Sequence, residues 1–200
     1  EDFLSYDDLS LQLSGSAKVK LSAIHLSGKS AHVGYRADLL GDHSEAEMHL
    51  GYFLEKKERA DYNLLVNHFG KKTESHIYCD GVLRGEAFKI FRGTIDLKHG
   101  AKGACGNEQE NVLLMDDNVV NQTIPVILCD EDDVEGNHGA TIGRLDEESV
   151  FYMQSRGMDL ESAYELMAEA RMESVIHSIS DKNIQSYIEE TIRGKGKEEE

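Results

Sequence analysis

The sequence predicts a mainly β protein, a solenoid of short strands followed by a small α-helical domain. Three observations carry this. From about residue 14 to residue 142, short segments alternate apolar and polar residues between Gly, Asn and Asp. Within that stretch, apolar clusters around Leu40, Leu65, Phe91 and Leu114 recur every 23 to 26 residues, the size of a coil that buries its inner face against its neighbours. After Gly143 the apolar period changes from two to that of a helix.

The strand segments follow one another as "AKVKLSAIHLSG", "AEMHLGYFLEKK", "ADYNLLVNHFG", "ESHIYCDGVLRG" and "EAFKIFRGTIDLKHG". A single proline, Pro125, lies among them, and no amphipathic helix of ordinary length interrupts the series. Alternation alone also suits a sandwich or a barrel; the recurrence favours the solenoid. Cys79, Cys105 and Cys129, spaced by 26 and 24 residues, are expected on successive coils of one face. In "RLDEESVFYMQSRG", Asp146 reads as an N-cap, Val150, Phe151 and Met153 as an apolar stripe, and Gly157 as the stop. Phe151, Tyr152 and Met153 read as core or as a docking surface. A second helix starts at Asp159 with Leu160, Ala163, Leu166, Met167, Ala170, Val175 and Ile176 at helical spacing, and a third starts near Ser180 or Asp181 and ends before Gly194. The expected organisation is a β-helix core over 1–143, a helical domain over 144–193 and a disordered charged tail over 194–200.

Composition narrows function. Thirty-eight acidic against 21 basic residues give a net charge of −17, a field that repels nucleic-acid phosphates and anionic lipid, and suits cations or a basic protein surface. No apolar run reaches the roughly 18 residues of a membrane span, and "EDFLSYDD" lacks the features of a signal peptide. Three cysteines without a CxxC pair read as reduced thiols, so a cytoplasmic location is expected. The chain carries no Walker A loop, no GxSxG elbow and no dinucleotide fingerprint. Nor do His43 with His49, or His68 with His76, show a zinc-site spacing.

Residues His138 to Thr141, then Gly143, Leu145, Asp146 and Glu148, then Phe151, Tyr152, Arg156 and Gly157, together with "FRGTI", "VLLM" and the Pro-led strand ending at Cys129, resemble the SufB/SufD family. The resemblance is strong over about 75–192 and weaker before. It implies a right-handed parallel β-helix with a helical C-terminal domain, and a non-enzymatic part in building iron–sulfur clusters. It further implies a SufC-type ABC ATPase docked on the helices and a homo- or heterodimer with a SufB/SufD-type subunit joined through the β-helix. A flavin is compatible with the family, but no motif here supports one. The reading from another class is a β-solenoid enzyme acting on a carbohydrate or acyl substrate, for which no paired acid and base is apparent.

A nascent cluster needs soft thiolates and accepts imidazole or carboxylate as mixed ligands for transient iron. The resemblance places His138 at the subunit junction, whereas the residues alone read it as a turn histidine between small neighbours. Cys129, closing "PVILC", is the first thiolate candidate, and iron offsets the charge that "DEDD" sets against a thiolate. Glu110 occupies the position where SufB-type chains carry their cluster-building cysteine; it reads either as an iron ligand or as a solvated residue of "GNEQEN". Glu135, and Cys105 in the loop-like "KGACGN", complete the candidate set.

Overall fold

A computed structural model describes residues 3–144 and 146–194. Ten strands lead into three helices: β1 (Leu4–Leu13), β2 (Lys18–His25), β3 (Ser30–Leu39), β4 (Glu45–Leu54), β5 (Arg59–His68), β6 (Glu74–Leu83), β7 (Phe88–Leu97), β8 (Ala104–Leu114), β9 (Val120–Cys129), β10 (Val134–Arg144), α1 (Glu147–Ser155), α2 (Leu160–Ser178) and α3 (Lys182–Gly194). Odd strands form one parallel sheet in the order β1-β3-β5-β7-β9, and even strands form the other in the order β10-β8-β6-β4-β2. The chain thus winds through about five coils of a parallel β-solenoid, each contributing one strand to either sheet.

The coil repeat is longer than the apolar clusters imply. It runs from 26 residues, Leu4 to Ser30, through 29, Ser30 to Arg59, to 32, Phe88 to Val120. The clusters mislead because every coil carries two apolar strands. Leu40 is exposed beyond the end of β3 and Leu65 lies outside the solenoid's core, whereas Phe91 and Leu114 belong to opposite sheets. The cysteines are likewise not stacked. In-register partners of Cys79 are Leu50 and Glu110, Cys105 pairs with Glu74 and Glu135, and Cys129 lies in the other sheet opposite Leu97.

Alternation sets which side chains fill the coils. Leu50, Leu64, Ile77, Phe91 and Ile95 are buried between the sheets, and Tyr52 stacks on Tyr62 with ring centroids 5.2 Å apart. One corner column turns through left-handed residues, Ser16, His43, Lys72 and Gly103. Each donates its N–H to the next coil, at Asp42, Lys71, Lys102 and Asp133. Beside it the glycines are packed against backbone: a Cβ on Gly70 would fall 2.4 Å from the Gly41 carbonyl oxygen.

The helices are held against the solenoid. Asp146 caps α1 by accepting from the N–H groups of Glu148 and Ser149, and Gly157 at φ 91 follows its last turn. Asp159 caps α2 through the Ser162 N–H, and Asp181 accepts from the N–H groups of Asn183 and Ile184 at the start of α3. The third helix includes Gly194, one residue past its expected end. The expected disordered tail otherwise lies outside the described residues. A second apolar cluster joins Ala168, Met172 and Ile176 of α2, with Ile188 and Ile192 of α3, to Phe53, Val82 and Leu113 on the outer face of the even-strand sheet. Gly51 lets α2 approach closely, since a Cβ there would lie 2.9 Å from Met172 Cε. Leu160 and Leu166, expected on the packing stripe, are exposed instead. The stripe on α1 is not core: it has no buried residue, and Phe151 and Tyr152 are 72% and 57% exposed.

Candidate functional site

At the C-terminal end of the solenoid, β9 and β10 are the last strands of their sheets, and each leaves one edge unpaired among the described strands. This coil is thinly covered: β10 has no buried residue, and Val120, Ile124 and Leu128 of β9 are exposed. His138 sits on β10 in register with Glu108 of β8, and Ala140 in register with Glu110. Its face follows from Gly136, where a Cβ would lie 2.9 Å from Ile127 Cγ2 of the opposite sheet. His138, two residues on, shares that inward column. It is therefore a strand residue on the exposed coil, not a turn residue.

Beneath it the interior is polar. Glu110 is fully buried and ion-paired with fully buried Lys89 of β7, so it is not a solvated residue. The ammonium also lies 3.3 Å from Thr123 Oγ1 and 5.5 Å from the Phe91 ring centroid. Glu108, 5% exposed, is the neighbour that sequence reasoning missed. Its carboxylate fills the space opposite Gly93, where any Cβ would overlap it. Burial, reinforced by the charge of Glu110, pushes its pKa up to about 7, with Lys89 opposing. Glu108 Oε2, Glu110 Oε2, Asn121 Oδ1 and the Tyr52 hydroxyl have no hydrogen-bond partner among the described residues. The available signal was the alternation in "GNEQEN", which places Glu108 and Glu110 on the same face as Gly106 and Val112.

The remaining candidates separate. Cys105 lies within β8 rather than in a loop, half-buried, with its Sγ 3.5 Å from Asn107 Nδ2. Glu135 is its exposed register partner, so these two stand together on the outer face. Cys129 is exposed at the end of β9 and donates to the Glu131 carbonyl at 3.2 Å. The two strands run in opposite senses, so with Gly136 facing Ile127, His138 faces Pro125. Four strand residues, about 13 Å at the usual rise, separate that position from Cys129. One chain thus brings together His138, Glu108 and Glu110 and leaves Cys129 at the far side of the coil. Among the described residues, no three His, Cys, Asp or Glu side chains stand ready to hold a metal.

The chain is a parallel β-solenoid followed by three helices, and its end coil sets an imidazole beside buried carboxylates. The model of the SUF-system FeS cluster assembly SufBD core domain matches residues 1–196, and the chain belongs to that family. Iron-sulfur cluster assembly protein SufD of Bacillus subtilis is 29% identical over 141 residues, 70% of this chain and 32% of that protein. The SufBD family protein slr0074 of Synechocystis is 27% identical over 141 residues, 70% of this chain and 29% of the relative. The chloroplastic SufBD family protein ABCI8 of Arabidopsis thaliana is 27% identical over 144 residues, 72% and 26% respectively. The chain spans about a third or less of the length of these relatives. Among the described residues, no helix is long and apolar enough to cross a membrane.

Proposed function

We propose that this chain is a scaffold component of SUF iron–sulfur cluster assembly, working in the cytoplasm as a non-enzymatic subunit. It dimerises through its β9–β10 coil with a second SufB/SufD-type subunit, and its helices dock a SufC-type ABC ATPase that supplies ATP hydrolysis. The observation that carries the reading is His138 on the exposed, unpaired end coil, in register with Glu108, whose neighbour two residues on is Glu110. Imidazole and carboxylate are ligands that hold iron without the permanence of an all-thiolate site, as a cluster in transit requires. Cys129, Cys105 and Glu135 are accessible at the same end, and pairing two such ends supplies a second set of donors. Two unpaired strand edges with exposed Val120, Ile124 and Leu128 favour association at this coil. Exposed Phe151 and Tyr152 on α1 favour docking of a further protein there. Glu108 and Glu110 give the enzyme reading no accessible acid and base, because both are enclosed and Glu110 is ion-paired with Lys89.

The test is anaerobic incubation of the chain with ferrous iron and sulfide, alone and with a SufC-type ATPase and a SufB-type subunit. A visible charge-transfer band is expected, weakened several-fold in His138→Ala and in Cys129→Ser. Absence of the band in every combination overturns the reading, and an unchanged band in His138→Ala removes the site.

A further inference from the structure

The negative charge of the chain is not evenly spread. At the corner that leads from odd strands to even ones, the position after the strand is filled on successive coils by Leu40, Phe69, Lys98 and Asp130. Each donates its N–H to the last residue of the neighbouring odd strand, so the four form one column. Beside it runs a second column, Asp42, Lys71, Lys102 and Asp133, whose carbonyls accept from the left-handed residues Ser16, His43, Lys72 and Gly103. Lysine thus gathers on two coils, as Lys71, Lys72, Lys98 and Lys102, next to Leu40 and Phe69, which are 49% and 41% exposed. Neighbouring carboxylates are engaged with backbone. Asp42 accepts the Lys71 N–H at 2.8 Å, and Glu131 accepts from the N–H groups of Gly100 and Asp132. Lys98 pairs with Asp96, while Lys71, Lys72 and Lys102 make no salt bridge among the described residues. Lys72 keeps its side chain in a left-handed conformation that Gly103 adopts one coil on without that penalty. Its Cγ lies 3.1 Å from where a Cβ on Gly103 would be, so the glycine makes room for the lysine stem.

We propose that this corner docks a short acidic segment of a partner protein, its carboxylates on Lys71, Lys72 and Lys102 and an apolar side chain against Leu40 and Phe69. The extent of the patch decides the class of partner. Two coils cover about 10 Å at the spacing of neighbouring strands, and Asp42 bounds them on one side and the acidic run 130–133 on the other. Charges are screened over about 8–10 Å at physiological salt. A peptide lying within the patch therefore feels the lysines. A nucleic-acid duplex or a membrane reaches past them, and meets the acidic flanks and a chain of net charge −17. The corner is also stiff, because Gly41 packs against the backbone of Gly15, and Gly70 against that of Gly41. The cations are thus held at coil spacing before a partner arrives, which lowers the ordering cost of docking.

The experiment is fluorescence anisotropy of the whole chain with a short fluorescein-labelled peptide of glutamates around one phenylalanine. Saturable binding that weakens as salt rises is expected. Lys71→Glu with Lys102→Glu should weaken it at least tenfold at an unchanged thermal midpoint. If that charge reversal does not fold, Lys71→Ala with Lys102→Ala should still weaken it several-fold. Phe69→Ser should weaken binding several-fold and leave its salt dependence as it was. Absence of binding in wild type, or binding unchanged in the lysine variants, overturns the site; binding unchanged in Phe69→Ser overturns the apolar anchor. Phosphatidylserine vesicles and a single-stranded RNA serve as the other probes. Tighter binding of either one than of the peptide, lost in the same lysine variants, overturns the peptide as the class of partner.

Discussion

Single residues in this solenoid are governed by which side of a strand they occupy. His68 is fully buried, its two ring nitrogens each 2.8 Å from a hydroxyl, Thr73 and Ser75. Burial holds its pKa down to about 4 against an ordinary 6.5, so the folded state takes up its proton later than the unfolded chain on acidification. The unfolded chain therefore binds more protons between those values. Stability from His68 is complete above pH 6.5 and is lost as the pH falls towards 4, by about 3 kcal/mol. The stability difference between wild type and His68→Gln, measured by urea unfolding, should shrink by that order from pH 7 to pH 4. Carboxylates common to both proteins, Glu108 among them, drop out of the difference. A difference independent of pH refutes the buried neutral imidazole. The same inside-or-outside rule separates Glu110, inside with Lys89, from Cys105, outside beside Glu135.

Helix α2 shows what an element needs beyond its own pattern. Its apolar residues, Ala168, Met172, Val175 and Ile176, press on the outside of the even-strand sheet, and Arg84 of the loop after β6 pairs with Glu161 at 2.7 and 3.1 Å. The approach depends on Gly51, beside both Met172 and Val175. Gly51→Val should lift the helix, lowering stability by about 1–3 kcal/mol as overpacking does. Met172→Ala, which opens a cavity instead, should cost about 2–5 kcal/mol. Denaturant midpoints check both, and full stability in Gly51→Val would mean that the helix is not clamped at this point. The cap at Asp146 and the helix start at Asp159 were legible because an N-cap acts within three residues of itself. The buried side of α2 was not, because a helix with apolar residues on several faces acquires its inner face from what it meets.

Across the whole molecule, the two sheets end in strands that carry most of the exposed apolar side chains of the end coil, and an open solenoid end invites a cap or a partner. Analytical ultracentrifugation should show association of the chain with itself or with a SufB-type subunit. Ile124→Lys with Leu128→Lys should abolish it without lowering the melting midpoint. A complex that survives the double substitution places the interface elsewhere.

The sequence by itself determined the β-to-helix switch after Gly143, the cap at Asp146 and the solenoid class, because alternation, caps and family motifs are local signals. Only the tertiary structure decided the coil length, the separation of Cys129 from His138, and the burial of Glu110 beside Glu108 and Lys89. Those depend on how many residues each corner consumes, and corners of unequal length set the register between distant strands. Lys89 and Glu110 lie 21 residues apart on opposite sheets, and no local pattern announces that two charges so placed will share one interior.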